Sequence, residues 1–184
     1  MKATGVVRRI DDLGRIVIPK EIRKTLRIKE GDPLEIFTDK EGEVILKKYS
    51  PIGELSEFAT TYAETLAKTT GHIACITDKD SVIAVSGGSK KEFLEQPLSQ
   101  QLEEVMENKE IYESSQNNEI ALPITKNDNK ERKYNAQVIY PIVSQGDVIG
   151  SVILLSKDQN TKMGDSEFKV VQSAAGFLGS QMDI

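Results

Sequence analysis

Four cations, Lys20, Arg23, Lys24 and Arg27, recur at i, i+3, i+4 and i+7, a spacing that lines one stripe of a helix. Three more, Arg8, Arg9 and Arg15, flank the run Asp11-Asp12-Leu13-Gly14, whose residue types favour a tight turn. Strands packed compactly on such a helix would gather all seven charges into one cationic surface. Lys and Arg that neutralise phosphates release condensed counterions, so this surface would bind duplex DNA with a steep salt dependence. Arginines can also take guanine bidentately or enter a narrow minor groove. The first 36 residues hold no Phe, Tyr or Trp, which disfavours RNA or single strands read by stacking. A merely solvated face, or docking of an acidic protein, are the competing readings.

Other chemistry has little to work with. One cysteine, Cys75, and one histidine, His72, can form neither an intramolecular disulfide nor a four-ligand zinc site, so no metal site is expected. Both fall in a strand-like run, and a nucleophile without a nearby base gives no reason to expect an enzyme; no catalytic residues are assigned. The pairs Asp11-Asp12 and Glu103-Glu104 are adjacent residues, which diverge on a helix or lie solvated in a turn. Ser86-Gly87-Gly88-Ser89-Lys90 lacks the G-x-x-x-x-G-K-[ST] spacing of a phosphate loop and reads as a turn.

These charges need a scaffold. Residues 4–9 and 15–18 read as strands around the turn. Pro19 suits the first turn of a helix over residues 20–27, with Ile22 and Leu26 facing inward. Residues 34–38 and 43–48 read as a hairpin about Lys40-Glu41-Gly42. The head is therefore ββαββ, and about 50 residues is small for a lone core, so a dimer sharing its core is expected.

Beyond Pro51, Leu55, Phe58, Tyr62 and Leu66 predict a helix stopped at Gly71, with strands over 72–77 and 82–85 following. Leu98, Leu102, Val105 and Met106 predict another helix, and 108–133 a polar loop. Residues 134–143 and 147–156 form the clearest hairpin, around Ser144-Gln145-Gly146. A closing helix over 165–182 carries Phe168, Val171, Ala175, Leu178 and Met182 as one seam, suited to a sheet or to a partner helix. Helices on one face of an antiparallel sheet describe an α+β domain.

The division is electrostatic as well. Residues 1–50 carry 12 basic against 9 acidic side chains, net +3, and residues 51–184 carry 12 against 20, net −8. No apolar run approaches the roughly 20 residues of a membrane-spanning helix, and no signal region opens the chain, so a cytoplasmic protein with no membrane partner is expected.

The run Thr4-Gly5-Val6-Val7-Arg8-Arg9-Ile10-Asp11-Asp12-Leu13-Gly14-Arg15-Ile16-Val17-Ile18-Pro19-Lys20-Glu21-Ile22-Arg23-Lys24-Thr25-Leu26 closely resembles the AbrB-like DNA-binding domain, and the likeness continues through Tyr49. It implies a mainly β, swapped-hairpin homodimer whose arginines contact double-stranded, A·T-rich DNA. The matching positions are Arg8, Arg9, Arg15, Arg23 and Lys24, the last a lysine where the family's arginine is usual; a phosphate contact survives that exchange but a bidentate one does not. Antitoxins of the MazE type share the fold, so an acidic toxin-like partner is the alternative.

Residues 51–184 resemble a GAF domain, most visibly in Ala136-Gln137-Val138-Ile139-Tyr140-Pro141-Ile142-Val143 followed by Gly146-Asp147-Val148-Ile149-Gly150-Ser151-Val152-Ile153-Leu154-Leu155. This likeness implies a sensor domain holding a small-molecule ligand, with residues 86–91 and 108–133 as candidate lining. No cofactor or cofactor-binding residue is identified, and Cys75 alone does not support the reductase branch of the family. The two domains in this order resemble transcriptional regulators of forespore genes in sporulating bacteria. They imply a nucleoid-associated homotetramer, heads paired and C-terminal helices joining the pairs.

Overall fold

The structure, a computed structural model, describes residues 5–54, 56–114, 120–128 and 134–182, and divides into two compact units, Met1–Tyr49 and Ser50–Ile184.

In the first unit a short helix α1 (Lys20–Thr25) precedes an antiparallel pair, β1 (Leu34–Thr38) and β2 (Val44–Lys48). The pair matches the sequence reading closely, and Asp39 fixes its turn by accepting the N–H groups of Glu41 and Glu43 through Oδ1 at 2.9 and 2.8 Å. The two strands expected before α1 are not regular strands. Residues 5–10 and 15–19 are held across the turn by Asp11 N–H to Arg15 O at 3.0 Å, without a regular ladder beyond it. The helix is also shorter than expected. Pro19 stands at the N-cap rather than inside the first turn, and at the other end Arg27 takes φ 53°, a left-handed conformation that terminates the helix.

None of the described residues 5–49 is buried. Paired residues of a two-stranded sheet share a face, so Ile36 and Leu46 lie on one side and Phe37 and Ile45 on the other. All four are exposed, Ile36 by 69%. Two strands cannot cover both of their own faces, and Ile22, expected inward, is only half-buried while Leu26 is exposed.

The second unit is built on a five-stranded antiparallel sheet of order β4-β3-β7-β6-β5. In chain order its elements are α2 (Pro51–Glu54), α3 (Ser56–Thr70), β3 (Ile73–Thr77), β4 (Val82–Ser86), α4 (Lys90–Phe93), α5 (Gln100–Glu107), β5 (Tyr112–Glu113), β6 (Ala136–Ser144), β7 (Asp147–Ser156) and α6 (Asp165–Ser180). The helices are not confined to one face, as the sequence had suggested. Along β7, Val152 and Leu154 point to one side and Ile153 and Leu155 to the other, all fully buried, and so continuous an apolar run requires cover on both faces. Ala59, Ala63 and Leu66 of α3 and Val171, Ala175 and Leu178 of α6 cover the first. Phe93 of α4, Leu102, Val105 and Met106 of α5, with Ile124 and Tyr134, cover the second.

Two helix faces are settled by the structure. The inward stripe of α3 is Ala59, Ala63 and Leu66; of the larger residues at helical spacing Leu66 is buried and Tyr62 half-buried. Leu55 lies outside the described residues, and Phe58, 39% exposed, joins Tyr62 and Phe177 in a ring cluster with centroids 5.8–5.9 Å apart. The seam of α6 is spent on its own sheet: Val171, Ala175 and Leu178 are buried there, with Phe168 and Met182 packed alongside.

Candidate nucleic-acid interface

The hairpin loop at Asp11 is the best-fixed part of the cationic surface. Asp11 Oδ1 accepts the N–H of Leu13 at 3.0 Å and of Arg15 at 2.8 Å, and its Oδ2 accepts Arg15 Nε at 2.8 Å. Gly14 closes the turn at φ 76°, a conformation that glycine adopts without steric cost, with its N–H on Asp11 O. The Arg15 backbone N–H first, and its guanidinium second, hold the Asp11 carboxyl below the usual carboxylate range. Arg15 remains 68% exposed in its side chain.

Helix α1 carries the next charges. Lys20, Arg23 and Lys24 are exposed and keep their i, i+3, i+4 relation. Arg23 and Lys24 in the last turn also face the negative end of the helix dipole, with Glu21 at the opposite end. Arg27 leaves this stripe. It is half-buried beyond the helix, where its carbonyl accepts Lys48 Nζ at 3.2 Å while that same ammonium reaches Asp32 at 3.3 Å. Its left-handed backbone breaks the 3.6-residue phase that would have placed it at i+7. Arg8 and Arg9 lie exposed on the strand-like segment entering the hairpin. The structure thus separates a loop group, Arg8, Arg9 and Arg15, from a helical group, Lys20, Arg23 and Lys24, and assigns Arg27 to neither. Asp11, the side chain that orders Arg15, was read only as a turn residue, although an acid four positions before an arginine was the available signal.

In the second unit the candidate lining falls in two places. Gly87 and Gly88 lie against β3: a Cβ would meet His72 O at 2.9 Å and Ile73 Cγ2 at 2.8 Å. That close approach supports the turn reading over a phosphate cradle. Residues 115–119 and 129–133 lie outside the described residues; the remainder of the 108–133 segment is pinned from below. Gln137, fully buried, accepts Leu122 N–H at 2.8 Å and donates Nε2 to Leu122 O at 3.0 Å. Asp128 Oδ2 accepts the N–H of Ile124 and Thr125 and the Tyr134 hydroxyl, the last at 2.9 Å. Cys75 is fully buried, and desolvation, helped by the negative charge of Asp128, raises its thiol pKa. A thiol so held is a core residue, not a nucleophile.

Comparison with known proteins matches the same two parts. The family described as "Stage V sporulation protein T C-terminal, transcription factor" covers residues 54–183, and "Antidote-toxin recognition MazE, bacterial antitoxin" covers residues 7–54. The chain is 53% identical to stage V sporulation protein T of Bacillus subtilis (strain 168) over 183 residues, covering 100% of this chain and 99% of that protein. Over 51 residues, 28% of this chain and 52% of the relative, it is 61% identical to the transition state regulatory protein AbrB of the same organism. The blue-light-absorbing GAF domain of PixJ from Thermosynechococcus elongatus superposes with a TM-score of 0.56 at 13% identity, covering 74% of this chain and 89% of that domain. At that identity the likeness shows the fold alone, a GAF-like one. No helix among the described residues is long and apolar enough to cross a membrane.

Proposed function

This chain belongs to the stage V sporulation protein T family of transcription factors, a sporulation regulator with an AbrB-like DNA-binding head, and we propose that it regulates forespore genes by gripping A·T-rich duplex DNA with paired heads. Residues 1–50 form the DNA-binding domain and 51–184 a GAF-like sensor that answers a small-molecule signal. Arg8, Arg9 and Arg15 contact DNA from the hairpin, and Lys20, Arg23 and Lys24 from the helix; Arg27 is the weakest member of the set. One observation carries the dimeric reading: none of the described residues 5–49 is buried, with apolar side chains exposed on both faces of β1–β2. A second chain interleaving its strands would cover them and give residues 5–10 and 15–19 the ladder they lack. Heads so paired act in the nucleoid of the cytoplasm.

Assembly beyond the dimer uses a second copy of the body. The α6 seam expected for that contact is occupied by its own sheet, so the contact falls instead to the ring cluster of Phe58, Tyr62 and Phe177 on α3 and α6. A tetramer presents two paired heads to one DNA molecule, and linked sites raise avidity without new contacts.

The test is binding to an A·T-rich duplex across a salt series, with Arg15→Ala and a fragment ending at Ser50 alongside. Neutralising six to ten phosphates gives a slope of log affinity on log salt of about −5 to −9. Arg15→Ala must weaken binding, and the fragment reports how much affinity the body adds. A folded, dimeric protein that binds no duplex at low salt overturns the proposal. It would favour a second reading, an acidic toxin-like protein on the basic head, to which the antitoxin-like match of residues 7–54 lends its support; capture that survives nuclease treatment would identify it.

A further inference from the structure

Within the basic surface one acid stands out by its bonding. Asp11 spends one carboxylate oxygen on the backbone, accepting from the N–H of Leu13 and of Arg15, and the other on Arg15 Nε at 2.8 Å. Only the side-chain bond concerns the guanidinium. Charge counting gives Asp11 no place in a DNA interface, because a carboxylate beside phosphates is repelled by them. Its geometry gives it one.

We infer that Asp11 is a positioning residue for DNA recognition: it fixes the guanidinium of Arg15 by its Nε edge and so presents the two Nη groups as a pre-set fork. The inference rests on the reading of the head as the DNA-binding surface with Arg15 at a contact. An exposed arginine that is free to rotate must surrender that freedom on binding, whereas one already anchored has done so during folding. The planar fork matters because bidentate contacts carry geometric specificity as well as attraction. The loop's other bonds, Asp11 N–H to Arg15 O and Gly14 N–H to Asp11 O, hold carboxylate and guanidinium on a frame that does not depend on the ion pair. An exposed ion pair adds little to stability, so its use here is orientation.

The two roles open to Asp11, bare charge and positioner, predict opposite signs. The experiment uses the full chain with Asp11→Asn, Arg15→Ala and the double variant, against an A·T-rich and a G·C-rich duplex of equal length at one salt concentration. Asparagine keeps an acceptor for the two backbone N–H groups and removes the charge, and circular dichroism with a thermal melt checks that the loop variant folds. Positioning predicts that Asp11→Asn weakens binding to the preferred duplex by about 3- to 10-fold, the scale of one ordered side chain, and leaves the other duplex unchanged or bound more tightly. In the Arg15→Ala background the same substitution must cost nothing. Equal tightening on both duplexes overturns the inference and makes Asp11 a bare charge. Equal weakening in both backgrounds overturns it too and makes Asp11 a loop staple. Either leaves the DNA-binding reading intact so long as Arg15→Ala itself weakens binding. Arg15→Ala with undiminished affinity removes the premise instead.

Discussion

Ile36→Asp separates a head that is complete in one chain from one completed by its partner. In the lone chain Ile36 is 69% exposed, with Leu46 as its cross-strand neighbour, and an exposed substitution of this kind shifts stability by no more than about 0.5 kcal/mol. If a second chain covers that face, each copy loses the burial of one large aliphatic side chain, about 1.5–3 kcal/mol. Two copies per dimer make roughly 3–6 kcal/mol, or about 10²- to 10⁴-fold in the dissociation constant. The buried carboxylate adds to that loss. Sedimentation equilibrium of a fragment ending at Ser50 reads the change directly: the parent fragment is expected to be a dimer at micromolar concentration and the variant a monomer, with a melt that depends on concentration only in the parent. DNA affinity of the full chain should fall with it. A parent fragment that sediments as a folded monomer, or a variant that dimerises equally well, refutes the reasoning.

Gly150→Ala should destabilise the second unit, because the added Cβ would clash with the backbone oxygen of Thr77, and overpacking of about 1–3 kcal/mol lowers the melt of a unit this size by roughly 3–10 °C; an unchanged melt would contradict the close approach. Cys75 should resist thiol reagents at neutral pH in the native protein and react stoichiometrically once denatured, since burial both raises its pKa and blocks access; rapid native labelling would contradict this. The Asp11 carboxyl, followed by nuclear magnetic resonance, should titrate below the ordinary aspartate value and move up towards it in Arg15→Ala. A depressed folded pKa means that its stabilisation is fully present above the unfolded value and is lost as pH falls through the folded one; a titration that is the same in the parent and in Arg15→Ala would contradict the ion pair.

The best-read elements were those whose partners lie close by in the same chain. β6 and β7 are joined by two residues, and the turn residues Ser144-Gln145-Gly146 between two apolar runs locate the hairpin within about two residues of its ends; β1 and β2 are similar. The segments before α1 read as strands from weak alternation and a β-branched run, which are statements about the local chain, while among the described residues only Asp11 N–H to Arg15 O joins the two across their turn. The face of α3 is legible only in part, for a different reason. Large apolar residues mark Leu66 but not its neighbours, because a helix lying close to a sheet favours small ones, and Ala59 and Ala63 permit the approach. The site shows the same division. Arg8, Arg9, Arg15, Lys20, Arg23 and Lys24 were legible as charges; the departure of Arg27 was not, because no glycine marks the stop. Neither was the clamp of Gln137 on Leu122, which joins residues 15 positions apart across a loop.

Any control of the head by the body is bounded by thermodynamics. Tyr49 donates its N–H to Pro33 O within the head, while Ser50 donates Oγ to Asp78 Oδ2 and caps Gly53 N–H within the body. Consecutive residues are therefore hydrogen-bonded within different units. A signal in the body can act only through a difference in its affinity for two arrangements of the protein. A tenfold change in DNA affinity needs a difference of about 1.4 kcal/mol, the scale of one hydrogen bond to a charged group. One such contact remade in the body suffices, and reciprocity makes the claim testable: whatever small molecule changes DNA affinity by a given factor must have its own affinity changed by DNA by the same factor. A molecule that binds the body tightly but shows no such exchange occupies a site without controlling the head.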